Sequence, residues 1–431
     1  MIDNIYIEPQ REDYKKICER PKKDKQDLYE TVGNIFQKVK DNGDKALISF
    51  TSQFDNVELK NLQVSTDEIH QAIKEIPISL KAAINIAKEN ISKFHKAQMN
   101  SDVVVETMNG VKCIQKSIAI EKIGIYIPGG TAPLFSTVLM LVIPAQLAGC
   151  KDIVLCSPPD NSGEIHPAII YTANLCGITK MIKVGGVQAI AAMTLGTESV
   201  PSVHKVFGPG NQYVTAAKQY AQNYGVGMDL PAGPSELLVY ATESGIPRFV
   251  AADLLSQAEH GIDSQVILVA DNIRIIDEIN IEISAQIKKL PRRKVAELAM
   301  MNSKALCISD SDIAFDFINE YGPEHLIIAT ENYNDFIPKI TNAGSVFLGN
   351  YCPESAGDYA SGTNHTLPTD GWSKSYNGVN IDSFCKKITF QEITKQGIQN
   401  LGNAVVEMAR CEMLEGHANA VKVRLESLKK Q

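Results

Sequence analysis

Three places in this sequence hold side chains that bind metals or move protons. The first is Gln257 and His260, three residues apart near the predicted end of a helix and just before Gly261. That spacing puts both side chains on one helical face, a common way to begin a metal site, although it also suits a polar helix end with His260 capping carbonyls. The second is Glu324-His325, after Tyr321-Gly322-Pro323 and before the apolar run Leu326-Ile327-Ile328-Ala329. A carboxylate beside an imidazole offers two proton acceptors of different strength, useful where one reaction needs two deprotonations; a surface ion pair is the plainer reading. The third is the stretch Pro353 to Pro368, which carries Glu354, Asp358 and His365 with two glycines and almost nothing large and apolar. No helix or strand period runs through it, so it reads as a long loop, and such loops in compact domains are usually functional or disordered. Gln257, His260, Asp358 and His417 together would make a four-ligand N/O set suited to Zn²⁺ and more exchangeable than a thiolate site. Spacing alone does not bring those four together, and His417 on an amphipathic helix reads equally well as a surface histidine.

The elements that must position these residues alternate strand and helix. Four strands, at 123–127, 152–156, 180–184 and 203–207, are each followed by a turn and a helix, which predicts a parallel α/β domain over about 123–233. Three of the turns, Pro128-Gly129-Gly130-Thr131, Val184-Gly185-Gly186-Val187-Gln188 and Gly208-Pro209-Gly210-Asn211, would cradle an anion at the strand ends. None is the G-x-G-x-x-G of the standard dinucleotide fold, and each also serves as simple chain reversal. A fourth small-residue turn, Ala232 to Glu236, offers the Ser235 hydroxyl to the same ligand. A second alternating region follows, with strands at 237–240, 265–269, 305–308, 325–328 and 345–348 and one long helical piece over 273–300.

The expectation is an α/β protein with two incomplete Rossmann-like domains, whose shared alternation suggests duplication, each on a parallel sheet, with small helical segments at both ends. The divisions read from the sequence are an N-terminal helical arm over 1–24, a first α/β domain from 25–122 and 234–380, a second over 123–233, and a small, mostly helical C-terminal domain over 381–431. The arm ends in the basic run Arg20 to Lys25.

Composition narrows the class. With 431 residues, 44% hydrophobic and 21% charged, the chain has the balance of an ordinary globular protein with more than one domain. A net charge of −8 gives no basic field for nucleic acid or an anionic membrane. The apolar run from Val138 to Cys150 is broken by Pro144 and too short to span a bilayer. Nine scattered cysteines without a C-x-x-C pair suit a reducing cytoplasm.

Several longer motifs, in order, resemble the histidinol dehydrogenase family over nearly the whole chain. They are Tyr126 to Pro133, Val184 to Ile190, Phe207 to Asn211, Asp229 to Glu236, Ser256 to Gly261, Gly322 to His325 and Glu354 to His365. The resemblance implies a zinc-dependent, NAD-linked oxidation of L-histidinol to L-histidine in two hydride transfers. It implies that Gln257, His260, Asp358 and His417 hold zinc and that Glu324 and His325 are the acid/base pair. It further implies that Ser235, His365 and Glu412 join the zinc ligands around the substrate, that Tyr126, Gln188 and Asn211 contact NAD, and that the protein is an intertwined homodimer. His365 and His417 are then among the residues a neighbouring subunit can supply. Glu412 sits in Arg410 to His417, less like the family's usual wording, and Glu415 is also at hand. Three other readings compete: a zinc hydrolase in which Glu324 activates water, a metabolite-binding protein without turnover, and a dehydrogenase with Cys113 or Cys150 as nucleophile.

Overall fold

The chain is described by a computed structural model that covers every residue except 22–27, 100, 130–131, 232 and 430–431. Most of the predicted basic run, the Gly130-Thr131 end of the first turn and Ala232 of the fourth lie outside the described residues. The strands in chain order are β1 (Asn4–Ile7), β2 (Val103–Met108), β3 (Val111–Ala119), β4 (Lys122–Tyr126), β5 (Asp152–Ser157), β6 (Met181–Lys183) and β7 (Lys205–Phe207), followed by β8 (Gly227–Met228), β9 (Glu236–Ala241), β10 (Gln265–Ala270), β11 (Lys304–Cys307), β12 (His325–Ala329), β13 (Ser345–Leu348) and β14 (Cys385–Ile393).

Two parallel sheets dominate, as expected. One is ordered β6-β5-β4-β7-β8, the other β1-β11-β10-β9-β12-β13. Counted in chain order within each sheet, both run third, second, first, fourth, fifth, with β1 added at one edge of the larger. The shared order supports duplication of one unit. Strands β9 (ELLVYA) and β10 (QVILVA) are buried at every position, which is why they read as unbroken apolar runs rather than alternating ones.

The cores redraw the predicted divisions. Apolar stripes on helices Leu28–Asn42 and Asp44–Asp55 pack with β4–β6 and with helices Gly186–Leu195 and Gln212–Ala221. Helices Thr66–Glu75 and Ile78–Lys96 pack on Phe135–Ala148 and Pro167–Leu175. Residues 28–96 therefore belong with the smaller sheet, not with 234–380. Helical periodicity shows that a stripe is buried but not what covers it. The N-terminal segment is also more than a helical arm: β1 extends the larger sheet beside β11, and helix Arg11–Ile17 buries Tyr14 and Ile17 against the strands and helices of that sheet.

Strands β14, β3 and β2 form a separate antiparallel sheet. The hairpin 103–119 escaped the sequence reading because Val103-Val104-Val105 does not alternate, and β2 is exposed at every position in the single chain. The C-terminal portion accordingly carries a nine-residue strand as well as helices Lys395–Cys411 and Glu415–Lys429. The long helical piece at 273–300 is two helices, Ile273–Gln286 and Arg293–Met301. Among the described residues, no helix is long and apolar enough to cross a membrane.

Candidate active site

His325 opens β12 and Glu324 immediately precedes it, so both stand at the amino-terminal edge of the larger sheet. The neighbouring strand β9 holds them: the Glu236 N–H donates to Glu324 Oε2 at 3.0 Å, and the Glu236 carbonyl oxygen lies 3.3 Å from His325 Nδ1. That contact leaves Nε2 facing the interior of the site, buried and without a hydrogen-bond partner.

The predicted loop contains a short helix, Glu354–Tyr359, whose first residue and fifth residue point the same way. Glu354 Oε1 is 3.6 Å from His325 Nδ1, and Asp358 Oδ1 is 3.6 Å from Nε2. These distances are too long for hydrogen bonds but close enough for strong attraction. Gly357 makes the close approach feasible, since a Cβ there would sit 2.6 Å from the Phe347 ring on β13. The rest of the loop reaches the other half of the molecule. Asn364 donates to the Met140 carbonyl at 2.6 Å, and His365 bridges the Asp358 carbonyl (2.8 Å) and the Thr137 hydroxyl (3.0 Å). The site thus lies between the amino edge of one sheet and the helix that follows β4 in the other.

Helix Pro247–Ala258 supplies Gln257, whose amide is fully buried with neither its oxygen nor its nitrogen hydrogen-bonded. His260 falls beyond the end of this helix, not on it. It keeps solvent-exposed surface, yet surrounding protein holds its pKa below the ordinary imidazole value against the pull of Asp358.

The electrostatics follow from crowding. Burial disfavours a charged His325, but Glu324, Glu354 and Asp358 outweigh it and push the imidazole up to about 10. Burial lifts Glu324 to about 7, with His325 opposing, and raises Glu354 well above the carboxylate range for the same reason. Asp358 is burdened by burial too, yet the histidines around it hold it below its usual value. Glu354, unassigned from the sequence, is nine-tenths or more buried with neither oxygen hydrogen-bonded. Asp253, one helical turn before Gln257, is lifted to about 7 by burial and adds its field to Glu354. Both were legible in principle as acidic residues four positions from a predicted ligand on one helical face.

The donor atoms of His325, Glu354 and Asp358 all lie within 4.8 Å of one another. Carboxylates packed this closely around an imidazole, with an orphaned amide on the adjoining helix 247–258, call for a cation, because buried polar atoms left unpaired are costly. The Gln257, His260 and Asp358 donors are N and O atoms of the kind zinc accepts.

The residues expected at a nucleotide gather elsewhere, at the carboxyl edge of the smaller sheet. Tyr126 ends β4 and accepts a hydrogen bond from the Gly186 N–H at 3.1 Å; burial raises its pKa to about 12. Gln188 is buried in the first turn of helix 186–195, beside Gly186. Asn211 caps helix 212–221 by accepting from the Tyr213 and Val214 N–H groups. Strands β4 and β7 flank the point where the strand order reverses, the place where open α/β sheets bind ligands. Gly208 has φ +133°, and a Cβ there would overlap the Tyr126 carbonyl oxygen.

Three expected residues stand apart. Ser235 directly precedes Glu236 and lines a small recess with Arg20, Asp263 and Gln265. Glu412 and His417 are exposed on the C-terminal helix pair, which packs on itself and on the β14-β3-β2 sheet. Neither is brought to the cluster within this chain. As for a cysteine nucleophile, Cys150 is buried with its thiol pushed up to about 12, and Cys113 lies on β3 of the antiparallel sheet.

The histidinol dehydrogenase family model matches residues 18–425. The chain is 55% identical to the histidinol dehydrogenase of Bacteroides fragilis (strain YCH46), covering 98% of this chain and 99% of that one. It is 51% identical to that of Colwellia psychrerythraea over 92% of each. The crystal structure of histidinol dehydrogenase from Elizabethkingia anophelis superposes with a TM-score of 0.97 at 54% identity, covering 99% of this chain and 98% of that one. The chain is an oxidoreductase and belongs to the histidinol dehydrogenase family.

Proposed function

We propose that this enzyme oxidises L-histidinol to L-histidine in two steps, through L-histidinaldehyde kept in the site, as the last reaction of histidine biosynthesis. The observation that carries the reading is the buried Glu324-His325 pair with Asp358 across from His325 Nε2, together with the orphaned Gln257 amide on a helix that packs against the Glu354–Tyr359 helix. Zinc would be held by Gln257, His260 and Asp358 together with His417 of the partner subunit, orienting the imidazole and amine of histidinol, and NAD would accept each hydride.

His325 takes the hydroxyl proton at Nε2 as the carbinol hydride departs, giving the aldehyde. Glu324, its pKa raised toward neutrality by burial, then takes a proton from water as that water adds to the aldehyde carbon. His325 removes a hydroxyl proton from the resulting hydrate as the second hydride leaves, giving the carboxylic acid. Ser235, His365 and the partner's Glu412 contact the substrate; Tyr126, Gln188 and Asn211 bind NAD at the strand-order reversal.

A homodimer is supported by the exposure of Glu412 and His417 and by apolar side chains left uncovered near them and on the antiparallel sheet, Val103, Phe390 and Met413 among them. Nine cysteines without a disulfide support a cytoplasmic setting. By shared cores, the units are 4–20 with 236–380 and 28–98 with 122–230, and strand pairing joins 103–119 to 385–429.

The test is NADH formed from L-histidinol, before and after chelation and zinc restoration. Two NADH per histidinol, lost with the metal and regained with it, is the expected result. One NADH would remove the hydration role from Glu324, and none from folded, zinc-loaded protein would refute the substrate.

A further inference from the structure

Glu236 holds both members of the acid/base pair with its backbone, the N–H to Glu324 and the carbonyl to His325 Nδ1. Its own side chain is buried at 2% exposure and is gripped from the N-terminal arm. Arg20 Nε and Nη2 meet the two carboxylate oxygens at 2.5 and 3.0 Å, a two-pronged ion pair. The Arg20 Nη2 also donates to the Tyr321 carbonyl at 2.8 Å, and the guanidinium lies 4.0 Å above the Tyr321 ring. The Tyr321 hydroxyl in turn lies 3.1 Å from Glu236 Oε2 and 2.9 Å from Gln265 Oε1, with one proton to share between the two acceptors. Asp370 stands 3.9 Å from Arg20 Nε, within reach but not hydrogen-bonded.

The arm is itself fixed at this edge of the sheet. The Glu19 carbonyl, next to Arg20, accepts from Gln265 and from Lys304, the first residues of β10 and β11. Residues 18–21 therefore cross the amino-terminal edge of the larger sheet, the edge from which Glu324 and His325 emerge. The ion pair is not needed to fill the core, since hydrophobic clusters already occupy both faces of this sheet. What it fixes is the side chain of the first residue of β9, whose backbone meets both Glu324 and His325.

We propose that Arg20 is a positioning residue for the acid/base pair: by clamping the Glu236 side chain, it holds the backbone groups that orient His325 and Glu324. This rests on the assignment of those two residues as the acid/base pair. Lysine cannot replace Arg20, because an ammonium has no planar fork to match a carboxylate.

The test uses R20K and R20M in the full-length, zinc-loaded enzyme, with histidine-labelled protein for NMR; the His325 signal is the one missing from H325N. The expected result is unchanged zinc content, unchanged KM for NAD and a kcat lower by about tenfold to a hundredfold, as small misplacements of a reacting group produce. The His325 ring signal should move at fixed pH while that of exposed His70 stays. A wild-type kcat in either folded variant, or an unmoved His325 signal, overturns the proposal. If R20M fails to fold, R20K and E236Q carry the same two readouts. If wild-type enzyme makes no NADH from histidinol, the functional reading has failed, and the His325 signal still decides whether Arg20 sets that ring.

Discussion

His325 is surrounded by three carboxylates yet is assigned a base's task, and the two facts meet in the metal. An imidazole pushed up to about 10 is protonated at neutral pH and accepts nothing. A dication on Gln257, His260 and Asp358 would offset the Asp358 charge and bring His325 back toward the neutral form. Two predictions follow at this scale. Replacing His325 with Asn should lower turnover by roughly 10²–10⁴-fold while zinc content stays intact, since the proposed role puts His325 at the reacting hydroxyl and not among the ligands; zinc loss in a folded H325N protein would count against this. The second concerns stability without metal. His325 is raised from 6.5 to about 10 and Glu324 from 4.5 to about 7, so the folded state binds protons that the unfolded state has released. Their contribution is fully present below the unfolded values and is lost as pH rises, across a window from about 4.5 to about 10. Chelated protein should therefore show a Tm that falls from pH 6 to pH 9, with zinc restoring most at the alkaline end. A Tm that climbs with pH in the absence of metal would show the cluster is not charged in this way. Glu354 shows where reading by residue type stops: its acidity was visible, but its isolation beside His325 depends on the short helix.

The elements were legible where one chain segment determines its own surroundings. Strands β9, β10 and β12 announce themselves as unbroken apolar runs, and the glycine turns fall at the ends of β4, β6 and β7. What one segment cannot show is its neighbour. Helices 28–96 carried the right stripes and were assigned to the wrong sheet, and helix 354–359 is too short for a period to reveal. Strand β2 is exposed throughout and β3 only partly covered, so the hairpin lacked the buried alternation that marks a strand. Gly208 gives an element-scale prediction. Its backbone sits at φ +133°, and a side chain there would overlap the Tyr126 carbonyl. Gly208→Ala must shift the turn between β7 and Asn211 away from β4. The expected outcome is a KM for NAD raised by about tenfold or more with zinc content preserved, the effect of displacing backbone that approaches a nucleotide closely. An unchanged KM for NAD would place the nucleotide away from the strand-order reversal.

At the scale of the whole molecule, the chain holds two halves of a site without closing it. The loop 353–368 ties the larger sheet to helix 135–148 through Asn364 and His365, so the cleft between the sheets is set within one subunit. The remaining expected ligand, His417, lies on an exposed helix that packs away from that cleft. The family resemblance named His417, but no contact inside one chain could have shown how it arrives. If a second copy supplies it, damage to His417 and damage to His325 reside in different sites of the same dimer. Mixing H417N protein with H325N protein, after unfolding and refolding together, then builds hybrid dimers in which one site carries both lesions and the other carries neither. Half of the dimers are hybrids and half of their sites are intact, so activity should return to roughly a quarter of wild type. Each variant refolded alone controls for residual turnover. If the mixture is no more active than the variants separately, His417 acts on its own chain's site, and the C-terminal helix pair must then swing across the molecule to reach Gln257.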